Sequence, residues 1–177
     1  MRMIAGRLKG RRISAPPGLD VRPTSDRLRE TLFNVLGDRV TGARVLDGFA
    51  GTGALGLEAW SRGAASVVLV ERDPAVLRVL TQNVAACGVA DACAIIRGDF
   101  LTVHVTPANF DLVLLDPPYA FDDLQAVLAR AAGLVTTTGE AVLEHSRRRE
   151  SPDRAGGLMR YRVLTAGDSA LSFYASA

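Results

Sequence analysis

The chain has 177 residues, of which 48% are hydrophobic and 23% charged, and a formal net charge of +2. These are the proportions of one ordinary globular domain, and they exclude a disordered chain, a collagen-like repeat and a disulfide-dense miniprotein. A chain this long buries about 70% of its unfolded surface, so it needs neither a metal nor a cross-link to fold. Its two cysteines, Cys87 and Cys93, match no zinc or redox spacing and read as packed thiols. No apolar run approaches the roughly 20 residues of a membrane span. The opening Met-Arg-Met-Ile-Ala-Gly-Arg lacks an apolar signal core, so a cytoplasmic protein without a membrane partner is expected.

The charge is unevenly spread. Residues 1–42 hold nine basic and four acidic side chains, whereas residues 43–177 hold twelve and fifteen. A basic arm on a mildly acidic body predicts a polyanionic partner gripped by the N-terminal segment. The division expected is therefore a basic extension over 1–42, packed on the core, and an α/β domain over 43–177. Within the extension, residues 1–22 read as short strands and turns, with Pro16-Pro17-Gly18 as one turn. Residues 25–36 read as a helix with Leu28, Leu32, Val35 and Leu36 at helical spacing.

From Ala43 onward short apolar runs alternate with helical patterns, the rhythm of a parallel sheet covered on both faces. The strands predicted are 43–49, 66–71, 93–98, 110–115 and 139–144. Between them, a helix over 54–62 stops at Gly63. A second takes Asp73 as its N-cap and Pro74 in its first turn, and ends at Gly88. A third starts at Asp122-Asp123, buries Leu124, Val127, Leu128 and Ala131, and stops at Gly133. After Glu144 a polar, basic stretch leads to runs 158–165 and 169–175 around Gly167-Asp168, an antiparallel hairpin. The fold class is thus α/β, Rossmann-like, mostly parallel, with an antiparallel C-terminal hairpin.

The loop after the first strand runs from Asp47 to Gly56, and Gly51 to Gly56 fits G-x-G-x-x-G, with Glu71 twenty residues after Gly51. The pattern describes a dinucleotide fingerprint. Asp47, four residues before Gly51, argues against a pyrophosphate, which a carboxylate would repel. It suits a cationic nucleoside without phosphates, and S-adenosylmethionine is such a ligand. Phe49, Gly51 and Gly53 belong to this loop. Glu71 is placed to take both ribose hydroxyls. Asp99 can accept from the adenine amino group and Phe100 can pack on the base. All three acids fall at carboxyl ends of successive strands, where open α/β sheets bind ligands.

The fourth strand ends in Asp116-Pro117-Pro118-Tyr119. Two prolines stop both sheet and helix and leave the Pro117 carbonyl without a following amide to take it. Asp116 and that carbonyl are then paired acceptors for an exocyclic amino group. Bonds from both its hydrogens localise the nitrogen lone pair and aim it at the methyl group. The Tyr119 ring can stack on an extruded base. A nicotinamide-dependent dehydrogenase does not fit, because His104 and His145 sit in no catalytic setting. A non-catalytic nucleic-acid module explains the arm but neither the acids nor the tetrad.

The tetrad resembles the signature of amino-group methyltransferases acting on DNA adenine, RNA guanine or protein glutamine. The strings Met3-Ile4-Ala5-Gly6, Lys9-Gly10-Arg11 and Arg22-Pro23-Thr24-Ser25-Asp26-Arg27-Leu28-Arg29-Glu30-Thr31-Leu32-Phe33-Asn34, with the loop Asp47–Ala59 and Ser61-Arg62-Gly63-Ala64, resemble the family of 16S ribosomal RNA guanine-N2 methyltransferases acting on guanine 966. The resemblance spans nearly the whole chain. It implies a class I methyltransferase fold with a seven-stranded sheet and a reversed last strand. It also implies S-adenosylmethionine as methyl donor, no metal, and in-line transfer to a guanine of 16S rRNA within a small-subunit assembly intermediate, with no obligate protein partner. A DNA adenine-N6 or other nucleic-acid amino-group methyltransferase is the alternative, although 177 residues leave no room for the separate sequence-reading domain such DNA enzymes usually carry. Within this frame Arg7, Lys9, Arg11 and Arg12 are expected to grip phosphates, and Arg22, Arg27 and Arg29 to shape the pocket mouth. One departure is Gly48, where the family has an apolar residue, commonly Leu; this predicts looser packing under the loop.

Overall fold

Continuous apolar runs become the middle of a sheet because helices and loops cover both of its faces. The computed structural model describes residues 1–16, 23–106 and 108–177. Eight strands form one sheet: β1 (Arg44–Asp47), β2 (Ser66–Glu71), β3 (Cys93–Arg97), β4 (Phe110–Leu115), β5 (Val135–Ser146), β6 (Arg154–Ala155), β7 (Leu158–Ala166) and β8 (Ser169–Ser176). The spatial order is β3-β2-β1-β4-β5-β8-β7-β6. The five strands from β3 to β5 pair in parallel, and β8, β7 and β6 follow antiparallel. The seven strands expected are present, and the two-residue β6 adds an eighth at the edge.

Side chains alternate between two cores. Val45, Val67, Leu69, Leu112, Leu114 and Val142 face the side carrying α1 (Pro23–Leu36), α2 (Ala54–Ser61) and α3 (Pro74–Cys87). Leu46, Val68, Val70, Val113, Leu115 and Leu143 face α4 (Leu124–Ala132). The helix boundaries follow their caps: Asp73 accepts from the amides of Ala75 and Val76, and α3 ends at Gly88 with φ +68°. Asp123, not Asp122, caps α4 by accepting from Ala126 at 2.8 Å. Cys87 and Cys93 are both buried, and burial pushes the Cys93 thiol up to about 12, with Cys87 adding to the rise.

Two regions differ from expectation. β5 begins at Val135, four residues before its predicted start, because the β4–β5 register jumps between Phe110↔Val135 and Leu112↔Glu140. Gly139 lies in this bulge, where a β-carbon would meet the Asp111 carbonyl at 2.8 Å. Residues 1–16 form no strand; an isolated bridge between Arg2 and Arg12 closes a loop around a 3-10 turn at Gly6–Leu8. The predicted Pro17-Gly18 turn and Arg22 lie outside the described residues.

The N-terminal loop is held by buried polar anchors. Fully buried Glu58 of α2 accepts from the amides of Ile4 (2.8 Å) and Ala5 (3.0 Å) and from Arg62 Nε (2.8 Å). Gly6, at φ +77°, passes so close that a β-carbon would fall 1.8 Å from the Ser61 carbonyl oxygen. Asn83 of α3 accepts from the Ser14 amide and donates to the carbonyls of Ser14 and Thr52, tying this segment to the glycine loop. Met3 and Ile13 complete the core on this side.

Candidate active site

The strand order reverses between β1 and β4, and there, at the carboxyl ends of the parallel strands, a cavity of about 830 Å³ opens. Its wall includes the loop from Gly48 to Thr52, Glu71 after β2, Asp99 and Phe100 after β3, and Asp116 to Tyr119 after β4. The glycine loop enters α2 through Gly53 at φ +86°, where a β-carbon would strike Leu80 at 2.7 Å. Gly51 adopts φ +53° and lines the cavity; Gly53 lies behind it, packed on Leu80 and Leu57.

Asp47 departs from expectation. It is fully buried and off the cavity wall, and its Oδ2 accepts the Gly56 amide at 3.0 Å. Its Oδ1 has no hydrogen-bond partner among the described residues. Burial pushes the carboxyl up to about 7, the amides of Gly56 and Phe49 pull it down, and Glu71 pushes it up again. The direct contact with a cationic ligand is therefore corrected: Asp47 anchors the loop from beneath and acts on the cavity through its field.

Glu71 reaches the cavity with both oxygens already held. Oε2 accepts the Gly51 amide at 2.9 Å and Oε1 the Asp73 amide at 2.7 Å. A carboxylate has about four lone-pair directions, so acceptor capacity remains for two hydroxyls. Asp99 accepts the Leu101 amide at 2.9 Å through Oδ1 and pairs with Arg72 at 3.2 Å through Oδ2. Phe100 is only 2% exposed, so its packing goes chiefly to the protein rather than to a base. Its ring sits 5.3 Å from that of Phe49, which in turn meets Phe121 at 5.8 Å. The prediction of loose packing at Gly48 is also corrected. A β-carbon there would meet the Phe100 ring at 2.8 Å and Leu115 at 3.0 Å, so Phe100 fills the space a larger residue would take.

At the opposite end, Asp116 is open to the cavity yet deep within the molecule. No hydrogen-bond donor reaches it among the described residues. Burial, then Glu144, then Asp47 raise its carboxyl well above the usual range. Pro117 is buried, and its carbonyl takes no amide among the described residues, whereas the Pro118 carbonyl accepts from Phe121 at 2.7 Å. Tyr119 stands at the mouth, 43% exposed, with its hydroxyl bonded to Ser169 Oγ. Two residues here were not anticipated. Glu144, two residues before the end of β5, lines the cavity beside Asp116. Arg149 donates to the carbonyls of Phe121 and Asp122, bracing the loop that follows Tyr119. The signal for Glu144 was its position, since it ends the strand predicted over 139–144 as Asp116 directly follows the fourth. His145 is buried: its Nδ1 faces the carbonyls of Ser146 and Arg149 and so carries the hydrogen, leaving Nε2 to accept from Ser172.

The basic residues divide by environment. Lys9, Arg12 and Arg27 are exposed. Arg7 lies over the Trp60 ring at 5.0 Å, and Arg11 donates to the Ala86 carbonyl, so both also pack the arm down. Arg29 is 3% exposed; it donates to the Arg2 carbonyl (2.6 Å) and to Asp26 (3.1 Å), and it touches the cavity wall. Burial lowers its pKa against the pull of Asp26 and Glu58. Its place is in the wall rather than in solvent as expected for a residue at the mouth.

The cavity has the dimensions of a small-ligand site, roughly 300–1,000 Å³. Its floor is loop backbone, and Glu71, Asp73 and Asp99, the last paired with Arg72, ring the end that would hold a nucleoside. S-adenosylmethionine fits these residues: Glu71 would hold the ribose, the Gly48–Thr52 loop would pass along the ligand, and the acids would favour its cationic end. The sheet order, the cavity and the tetrad together define a Rossmann-like class I methyltransferase. The profile of the family described as Conserved hypothetical protein 95 matches residues 1–175. A Bacillus subtilis protein described as a candidate rRNA methyltransferase, YlbH, is 34% identical over 180 residues, covering 98% of each chain. Ribosomal RNA small subunit methyltransferase D of Escherichia coli K12 is 44% identical over 121 residues, 67% of this chain and 60% of the relative's length. A 16S rRNA guanine-N2 methyltransferase from Thermus thermophilus, solved with AdoMet and guanosine, superposes with a TM-score of 0.76 at 26% identity, covering 96% of this chain and 46% of that one. The chain belongs to the Conserved hypothetical protein 95 family.

Proposed function

We propose that the protein transfers a methyl group from S-adenosylmethionine to the exocyclic N2 of guanine 966 in 16S ribosomal RNA, acting in the cytoplasm on a small-subunit assembly intermediate. The observation that carries this reading is one continuous cavity with Glu71 at one end and Asp116-Pro117-Pro118-Tyr119 at the other. A nucleoside donor and an amino acceptor placed in it would face each other across one space. The donor supplies a methyl group activated by a sulfonium. The chain supplies position: Glu71 fixes the ribose, Asp116 and the Pro117 carbonyl take the two amino hydrogens, and Tyr119 stacks on the base. Holding two reactants in line replaces a bimolecular encounter, which accounts for much of the rate such a step needs.

The relatives support this reading by their described substrate, ribosomal RNA, and the Thermus thermophilus enzyme by its bound guanosine. The basic extension over 1–42 is assigned to the RNA backbone, with Lys9 and Arg12 free to reach phosphates and Arg7, Arg11 and Arg27 at its margin; Arg22 belongs to the same segment. The body over 43–177 is assigned to donor binding and chemistry. The test is methyl transfer from labelled donor to hypomethylated ribosomal RNA, free and in small-subunit particles, followed by nucleoside analysis. N2-methylguanosine at one position is expected. N6-methyladenosine as the product would overturn the guanine assignment.

A further inference from the structure

Glu144 has no part in the tetrad, yet the sheet delivers it to the same place. β4 and β5 run parallel with Leu114 opposite Val142 and Leu115 opposite Leu143. Asp116, just past β4, and Glu144, still within β5, are the next residues in this register, so they stand at one level on strands about 4.8 Å apart, and alternation puts them on the same face. Both line the cavity. Glu144 is held by a hydrogen bond from the Ser169 hydroxyl, and Ser169 Oγ bonds in turn to the Tyr119 hydroxyl at the cavity mouth. A second carboxyl beside an acceptor that needs only one is unexplained by substrate positioning alone.

We propose that Glu144 is a further catalytic residue: its carboxylate takes the proton that the substrate's amino nitrogen must lose on gaining a methyl group. The inference rests on the reading of the site as one for exocyclic amino groups. The balance is simple. The amino lone pair forms the new N–C bond, while the pair of the broken S–C bond stays on sulfur, which becomes a neutral thioether. The nitrogen is left with a positive charge and two hydrogens. One of these passes to Glu144, giving a neutral carboxylic acid and a neutral methylamino base. Asp116 and the Pro117 carbonyl hold the two hydrogens through methyl transfer; the one on the carboxyl side then passes to Glu144 and the Pro117 carbonyl keeps the other, while the Ser169–Tyr119 hydroxyls offer the proton a way to the mouth.

The electrostatics agree with the geometry. Burial raises both carboxyls, and Glu144 raises Asp116 further. Asp47 lies beneath the pair and adds to the rise of Asp116, Arg149 shares a pocket with Glu144, and Glu71, Arg72, Asp99 and Arg29 line the rest of the same cavity. His145, the next residue of β5, is turned away into its bonds with Ser172 and the Arg149 carbonyl. Two neighbouring carboxyls do not easily both ionise, so each disfavours the charged form of the other and one of them is the more ready to take a proton.

The test uses the full chain and Glu144→Gln, which keeps size and an acceptor for Ser169 but removes the base. The single-turnover rate is expected to fall at least tenfold with donor affinity within a few-fold. The acid limb of the pH–rate profile is expected to move to lower pH by about one unit, because Asp116 loses its negative neighbour. Glu144→Asp should restore the position of that limb. An unchanged rate, or a lower rate with an unmoved acid limb, overturns the proposal. Carboxyl NMR of 13C-labelled protein reads the pair without any RNA: coupled titration of two carboxyls supports it, and independent titration overturns it whichever base the enzyme methylates. Methylation of a different amino group would instead count against the guanine assignment and leave Glu144 in place.

Discussion

The two ends of the cavity solve different problems with the same residue type. At the end of β2 and after β3, Glu71 accepts the backbone amides of Gly51 and Asp73, and Asp99 accepts the Leu101 amide and pairs with Arg72. After β4 and near the end of β5, Asp116 has no such donor among the described residues and Glu144 has a single hydroxyl; burial raises both, and Glu144 raises Asp116 further. An acid pinned by amides is a fixed acceptor, suited to holding hydroxyls of a ligand that must stay still. An acid left short of donors is basic and hungry for a hydrogen, suited to a group whose hydrogens change partners during the reaction. The contrast separates binding from chemistry along one sheet edge.

Asp116→Ala breaks the chemical end, and the largest effect is expected there. Turnover should fall at least about 100-fold while donor affinity stays within a few-fold, because the lost acceptor matters chiefly in the transition state. Rapid-quench methyl transfer and calorimetry on the same preparation separate the two quantities; a matched loss in both would erase the distinction between the ends. Glu71→Ala breaks the binding end. It should weaken S-adenosylmethionine by about 1–3 kcal/mol, since it removes charged acceptors from ligand hydroxyls and frees the Gly51 and Asp73 amides. Calorimetry showing parental affinity would place the ribose elsewhere.

Asp47 sharpens the comparison, because it lies beneath both ends and is buried without facing either. Its folded-state pKa of about 7 stands above the unfolded value near 4. The neutral form is thus favoured by folding. The stabilisation it brings is complete below about pH 4 and is lost as the pH rises through 7. Asp47→Asn cannot ionise, and its side-chain oxygen still suits the Gly56 amide. Its unfolding free energy should therefore fall less than the parent's between pH 4 and 8, by about 1–3 kcal/mol. Urea unfolding at several pH values measures this, and parallel curves for the two proteins would show that folding leaves the Asp47 carboxyl at its unfolded pKa.

Much of this was written in local patterns. The β1, β2 and β4 cores, the Asp73 cap, the Gly88 stop and the C-terminal hairpin follow from apolar runs and cap residues, which act over a few positions. What escaped depends on pairs distant in sequence. The early start of β5 is set by a register jump against β4, and its Thr136-Thr137-Thr138 run is β-branched but polar, so a search for apolarity passes over it. Gly48 looks like a gap until Phe100, 52 residues later, fills it. Asp47 and Glu71 are both acids at strand ends, yet one ends beneath the loop and the other on the cavity wall, and only the path of the chain between Asp47 and Gly56 decides which. Glu144 was legible by position, as the last residue of its predicted strand, but lay outside any motif.

The N-terminal arm stands apart from both ends, and there the smallest effect is expected. Lys9, Arg12, Arg7 and Arg11 are all exposed, but Arg7 also stacks on Trp60 and Arg11 bonds to the Ala86 carbonyl, while Arg29 is buried in the wall. Removing the first two takes away charge without undoing the packing that the other three provide. Each phosphate contact contributes about 0.7 to the slope of log affinity against log salt for a single strand. Lys9→Ala with Arg12→Ala should therefore flatten that slope by about 1.4 and weaken RNA binding at low salt. Such contacts position the RNA without reading its sequence, so the nucleotide modified should not change. Donor affinity should also hold, because the donor end is built from β1 to β3 and touches neither residue. A salt titration with a ribosomal RNA fragment decides it: an unchanged slope would move the RNA off this arm and onto the exposed Arg147 and Arg148 beyond β5.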